Sequence, residues 1–211
     1  MSVKLVSITH PKMDGLKTAE ELISYCARVS NPSNQMNMDS SSKLISYLIK
    51  HKHWSPFEMV DMTVAIVTRR SIAAQILRHR SFSFQEFSQR YSTATDVQQI
   101  ELRKQGKTNR QSSEEIILDS TLSKMVHNHL EKSKELYQYL IDEGVSRETA
   151  RDVLPLATET TMYMKGSMRS WIHYLDLRCA DDTQLEHRII ANNIKEIFKE
   201  NFPNIFLALG W

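Results

Sequence analysis

Apolar and polar residues alternate most regularly over residues 57–68, where Val60, Met62, Val64 and Ile66 fall on one side of an extended chain. A period of two built from β-branched and long apolar residues marks a half-buried strand. Residues 3–10 read as an earlier strand, and 157–165, with their threonines and aromatics, as a later one. Elsewhere the period lengthens to that of a helix. Ala19, Leu22, Ile23 and Cys26 form one stripe of a helix over 18–29 that Asn31 and Pro32 end, and 41–50 is a second helix. Residues 51–58 turn the chain into the long strand. After it, Ser71 is positioned to cap a short helix in which Ile72, Ile76 and His79 share a stripe. A long helix is predicted over 119–144, with Leu122, Met125, His129, Leu136 and Leu140 inward and Gly144 at its stop. Shorter helices follow over 146–155 and 167–177. Thr183 with Glu186 three residues on reads as a capping box opening the last helix, which Pro203 ends. Residues 93–113 are polar, contain one glycine and lack apolar periodicity, so they read as a mobile excursion and a candidate lid.

These elements describe a mixed α and β chain, and the 211 residues suffice for one domain with a real core. No proline- or serine-rich linker divides it. The formal charge of +2 gives no global drive toward nucleic acid or a membrane, so basic residues matter locally. No apolar run approaches a membrane span, and the first ten residues lack the apolar centre of a signal peptide, so the expected compartment is the cytoplasm. Cys26 and Cys179 are too few for a disulfide framework and read as buried structural thiols. With five glycines, at 15, 106, 144, 166 and 210, neither a dinucleotide fingerprint nor a phosphate-binding glycine loop is available. Any phosphate must then be held by arginine and serine. His51 and His53 have no third ligand nearby in sequence, and no metal is expected.

Candidate chemistry concentrates in Arg78-His79-Arg80-Ser81-Phe82-Ser83-Phe84-Gln85-Glu86-Phe87-Ser88-Gln89-Arg90. Arginine matches a phosphate bidentately and keeps its charge at any biological pH, which makes Arg78, Arg80 and Arg90 candidate anion clamps. If this segment is extended, Glu86, Ser88 and Arg90 point the same way. A run of arginine and glutamate is more often a solvated face, and interleaved phenylalanines also suit single-stranded nucleic acid. The preceding strand and helix argue for a site instead, because they hang the arginines on a rigid support.

In composition and order this stretch resembles the signature of flavin-dependent thymidylate synthases, and three further segments extend the resemblance over most of the chain. His53-x-Ser55-Pro56-Phe57-Glu58 resembles the segment leading into the strand, with Met59 where the family usually has histidine. Arg147-Glu148-Thr149-Ala150-Arg151, continuing to Pro155, resembles a nucleotide-binding helix. Ser167-Met168-Arg169, with His173 and Leu175-Asp176-Leu177-Arg178, resembles the flavin-contacting segment, serine and histidine replacing asparagines of one common version.

The resemblance implies an α+β single domain with a central, mostly antiparallel sheet flanked by helices, assembled as a homotetramer. It implies reductive methylation of deoxyuridine monophosphate, dUMP, with methylenetetrahydrofolate as carbon donor and FAD, reduced by NADPH, as hydride source. Gln75, Arg78, Glu86, Ser88, Gln89, Arg90, Arg151 and Arg178 would bind the nucleotide. Ser55, Arg78, His79, Arg80, Glu86, Ser167, Met168, Arg169 and His173 would meet the flavin. Arg178 is implied as the catalytic cation that activates the pyrimidine, and no cysteine is required. A single-stranded nucleic-acid-binding module and a flavoprotein reductase acting on another nucleotide are the rival readings.

Overall fold

The computed structural model describes residues 1–93 and 96–211. In chain order its elements are β1 (Ser2–Ile8), α1 (Ala19–Ala27), α2 (Ser41–Lys50), β2 (Asp61–Arg69), α3 (Arg70–Ile76), β3 (Ser83–Glu86), β4 (Arg103–Gln105), β5 (Ser113–Ile116), α4 (Ser120–Asp142), α5 (Arg147–Ala150), β6 (Glu159–Ser167), α6 (Met168–Arg178), α7 (Leu185–Asn201) and α8 (Pro203–Leu209). Four strands form one sheet in the order β1-β2-β6-β3, with every pairing antiparallel. The α+β class is therefore observed.

Period-two patterning sets which face of the sheet is covered. Met62, Val64 and Ile66 of β2 and Met162 and Met164 of β6 are fully buried against the helices. Their alternates Tyr163 and Lys165 lie on the open face. α6 lays Trp171, Tyr174 and Leu175 on the covered face, and the Trp171 indole N–H donates to the carbonyl of Met62 at 3.0 Å. Ile190, Ile194 and Phe198 of α7 complete this layer. Glu20 of α1 accepts from the Ile205 backbone N–H at 2.9 Å and from the Asn204 amide at 2.6 Å, which fastens the N-terminus of α8.

Several local expectations are corrected. Residues 55–59 form a 3₁₀ turn rather than the start of β2, because Pro56 sits at its beginning, where its fixed φ suits a helical turn. α3 starts at Arg70 with Arg69 before it and no side-chain cap, so Ser71 caps nothing. In α4 the buried positions are Leu130 and Tyr137, whereas Leu122, Met125 and Leu136 are 42%, 63% and 46% exposed. The inward stripe is thus rotated from the one expected, because α4 packs on α5 and the following turn and not on the sheet. Residues 94 and 95 of the predicted excursion lie outside the described residues, and part of the rest pairs into regular structure. Val97 bridges Thr158, and β4 and β5 pair as a hairpin.

The second T-x-x-E motif does not form a capping box. α7 begins after Gln184 without a side-chain cap, Thr183 donates to the carbonyl of Leu177, and the Glu186 carboxylate is taken by Arg69 at 2.5 Å and Arg103 at 2.6 Å. The box forms instead at Thr18 and Glu21, opening α1. Pro203 does close α7, yet a further helix, α8, starts on it.

Gly166, the residue before the Ser167-Met168-Arg169 segment, permits one close approach. A Cβ there would fall 2.4 Å from Cδ1 of Phe82, whose ring packs edge-on against Trp171 at 4.7 Å. Gly166→Ala should therefore lower stability by about 1–3 kcal/mol through overpacking, read as a lower urea midpoint. An unchanged midpoint would mean the Phe82 ring moves aside freely.

Candidate functional site

The end of α6 meets the turn after α3. Arg178, the last residue of α6, donates from Nε to Nε2 of His79 at 2.9 Å. His79 must leave that nitrogen unprotonated, and burial, with the Arg178 and His173 charges, lowers its pKa from 6.5 to about 4. One turn earlier on α6, the buried ring of Tyr174 stacks edge-on against His79 at 4.8 Å, and its hydroxyl lies 3.0 Å from Nε2 of His187. His187 is fully buried, and its pKa falls to about 3, mainly through desolvation and then the charges of Arg178 and His79. Gln75, Arg78, Arg178 and Gln184 line a cavity of about 520 Å³ beside this cluster. Arg178 is half-buried rather than enclosed.

A second group gathers where β6 runs into α6. The Glu58 carboxylate accepts from the Ser167 hydroxyl at 2.5 Å and from Arg169 at 3.0 Å. Ser167 also caps α6. Ser55 is exposed at the start of the 3₁₀ turn that carries Glu58. Arg169 and His173 line a cavity of about 630 Å³ whose walls include Trp54, Ile172, Leu209 and Trp211. Apolar walls with a guanidinium and an imidazole at hand suit a large planar ring system bearing phosphates, so these residues fit a flavin nucleotide. Met168 is different: its side chain is fully buried in the core and its backbone N–H donates to Val60.

The third group lies beyond the edge of the sheet. β3 ends at Glu86 and the chain turns from Ser88, whose carbonyl accepts from the N–H groups of Tyr91 and Ser92. Glu86, Ser88 and Arg90 therefore share no strand face, contrary to the extended reading. Phe82 and Phe84 pack inward, and Glu86 follows them to accept from the Thr160 hydroxyl at 2.9 Å, with Arg70 at 3.6 Å. Arg90 pairs with Glu148 at 3.3 Å, and Nε of Arg151 donates to the Glu148 carbonyl. Ser88, Arg90, Tyr91 and Arg147 line another cavity of about 520 Å³. Gln89 is buried, its amide nitrogen without a hydrogen-bond partner among the described residues. Arg78 and Arg80 are exposed.

Within one chain Gln75, Arg78 and Arg178, then Arg169 and His173, then Ser88 and Arg90 line three separate cavities, while Glu86 lines a fourth that shares Ser88 with the last. Sequence reasoning assigned no role to Glu58, Glu148, Tyr174, Gln184 or His187, which hold the expected residues in place. Their only signal was position, one helical turn or one short loop from an arginine. Cys26 and Cys179 are free and half-buried, and burial raises both thiol pKa values, which disfavours the nucleophilic thiolate. No group of three or more histidine, cysteine, aspartate or glutamate residues suited to a metal occurs among the described residues.

Because both pKa shifts are downward, the His79 and His187 rings should stay neutral as pH falls from 7 to about 5. Imidazole carbon shifts followed by NMR should show no titration in that window, and Arg178→Ala should move the His79 midpoint upward. A His79 midpoint near 6.5 in the unmodified chain would contradict the Arg178–His79 hydrogen bond.

Residues 12–204 match the family model described as thymidylate synthase complementing protein. The chain is 49% identical over 215 residues to a probable flavin-dependent thymidylate synthase of Paramecium bursaria Chlorella virus 1 and 50% identical over 219 residues to a flavin-dependent thymidylate synthase of Synechocystis. Both alignments cover 100% of each chain. Among solved structures it resembles PolB of Streptomyces cacaoi, a UMP/dUMP methylase bound with 5-Br dUMP, with a TM-score of 0.84 and 26% identity over 99% of this chain and 94% of that one. Matched along its whole length by sequence, and in fold by a nucleotide methylase, the chain belongs to the flavin-dependent thymidylate synthase family.

Proposed function

We propose that this chain methylates dUMP to thymidine monophosphate, taking the methylene carbon from methylenetetrahydrofolate, with NADPH as the reductant. Bound FAD in its reduced form supplies the hydride that completes the methyl group. The observation that carries the reading is Arg178, held by His79 at the mouth of a cavity that also presents Gln75 and Arg78. C5 of a pyrimidine becomes nucleophilic when negative charge developing on the ring is stabilised, and a fixed guanidinium beside N3 and the neighbouring carbonyl oxygen does this. His79 supplies the orientation by accepting from Nε, which leaves the two terminal nitrogens of Arg178 for the base. The C5 hydrogen leaves as a proton when the new carbon–carbon bond has formed.

Arg78, Arg90 and Arg151 hold the phosphate, with Gln75, Ser88, Gln89 and Glu86 completing the nucleotide's hydrogen bonds. Ser55, Arg78, His79, Arg80, Glu86, Ser167, Arg169 and His173 contact FAD, and Met168 fixes the start of α6 from beneath. The active unit is a homotetramer in which Ser88, Arg90 and Arg151 of one chain face Gln75, Arg78 and Arg178 of another. The separation of these groups within one chain supports it, as do the exposed apolar residues Leu122, Met125, Leu136 and Tyr139 along α4.

Turnover of dUMP with methylenetetrahydrofolate and NADPH tests the activity directly. Arg178→Ala should keep the visible flavin band and lose nearly all kcat, on the order of 10²–10³-fold for removal of one preorganised donor. Unchanged turnover would remove Arg178 from the chemistry. For the assembly, inactive Arg90→Ala and Arg178→Ala chains refolded together should regain roughly a quarter of the activity if each site draws the two arginines from different chains. No recovery would place both arginines in one chain's site.

A further inference from the structure

The hydrogen bonds around His187 can be assigned a direction, because they end on a group that only accepts. Glu186 is buried, and Oε1 of its carboxylate takes Arg69 and Arg103. Its Oε2 lies 2.9 Å from Nε2 of Gln184, which must donate. The Gln184 oxygen is then turned toward Nε2 of Gln75 and accepts from it at 2.6 Å. That leaves the Gln75 oxygen facing Nδ1 of His187 at 3.4 Å, so Nδ1 must carry the ring proton. A neutral imidazole has only one such proton, and the bare Nε2 accepts from the Tyr174 hydroxyl at 3.0 Å. Every link points from Tyr174 toward Glu186.

We propose that His187 is a positioning residue for the substrate site: it fixes the side-chain amide of Gln75 in one of its two orientations. Burial supports this, because a ring kept neutral has only one tautomer compatible with the chain of bonds. Gln75 is left with one N–H and one oxygen lone pair for a ligand in the cavity shared with Arg78 and Arg178, each on a defined side. A flipped amide would present them reversed to a pyrimidine nucleotide and would break the bonds to both Gln184 and His187. The proposal rests on the reading that Gln75 faces the nucleotide.

Two substitutions separate positioning from packing. In His187→Asn the amide nitrogen takes the place of Nδ1 and still donates to Gln75, whereas in His187→Gln the amide lies near Nε2 and Gln75 loses its donor. Both remove the buried ring and should lower the melting temperature similarly. KM for dUMP should rise about tenfold in His187→Gln and less than about threefold in His187→Asn, as loss of one orienting hydrogen bond predicts. The flavin band and kcat should be nearly unchanged in both. Gln184→Ala, at an exposed position that does not endanger folding, should also raise KM for dUMP. Equal effects of Asn and Gln at 187, or no effect of either or of Gln184→Ala, would overturn the relay.

Gln75→Ala distinguishes the two levels of the argument. A rise in KM that His187→Gln does not increase further in the double variant supports the relay. If Gln75→Ala raises KM while His187→Gln does not, the relay alone fails. If Gln75→Ala leaves KM unchanged, Gln75 does not face the nucleotide, and the relay falls with that reading.

Discussion

The antiparallel pairing of β2 with β6 is the constraint on which the site depends. Nine consecutive residue pairs, Asp61 with Ser167 through Arg69 with Glu159, hold these strands together. Each strand runs directly into a helix, α3 from β2 and α6 from β6, so antiparallel pairing starts the two helices at opposite ends of the sheet. Both lie on the covered face and travel toward each other. An 11-residue α6 is roughly 16 Å long and a 7-residue α3 roughly 10 Å, against roughly 30 Å for a nine-residue strand. The helices therefore use up the strand's length between them, and their ends, Arg178 and the turn bearing His79, meet.

The arginines fall into two physical kinds. Arg69 and Arg103 are largely buried and share the carboxylate of Glu186, so each charge is compensated where water cannot do it. Arg90 with Glu148 and Arg169 with Glu58 are solvent-exposed pairs, worth about 0–1 kcal/mol each. A phosphate can take over such a guanidinium at little cost, whereas removing Arg69 or Arg103 from Glu186 would strand a buried charge. Exposure thus separates arginines available to a ligand from those that hold α7 and the β4–β5 hairpin to the rest of the chain.

Local pattern was legible where local forces decide. Met62, Val64 and Ile66 disclosed β2. The two T-x-x-E motifs mark the limit. At Thr18 and Glu21 the carboxylate takes, among the described residues, only the neighbouring backbone N–H groups of Lys17 and Thr18 and the box forms, while at Glu186 two arginines from distant parts of the chain take it. α8 escaped notice because the carboxylate that satisfies its N-terminus belongs to Glu20, near the other end of the sequence. α4 was misread because its pattern carries two apolar faces, and sequence does not say which one another element covers. The arginines expected at the site came from the family resemblance carried by their segments. Glu58 beside Arg169, Glu148 beside Arg90 and His187 beside Gln75 were not legible, since nothing in a local window brings a group from another element there.

The end-to-end meeting of α3 and α6 limits how the length of this chain can drift. Inserting one residue in either helix would rotate its end by about 100° and shift it by about 1.5 Å, parting the Arg178 guanidinium from the His79 imidazole. Compensation by the other helix would need a matched change in both rotation and rise. Insertions and deletions should therefore be excluded between Arg69 and His79 and between Ser167 and Arg178, and be accommodated at the exposed turn between β4 and β5, where a longer loop alters no helix end.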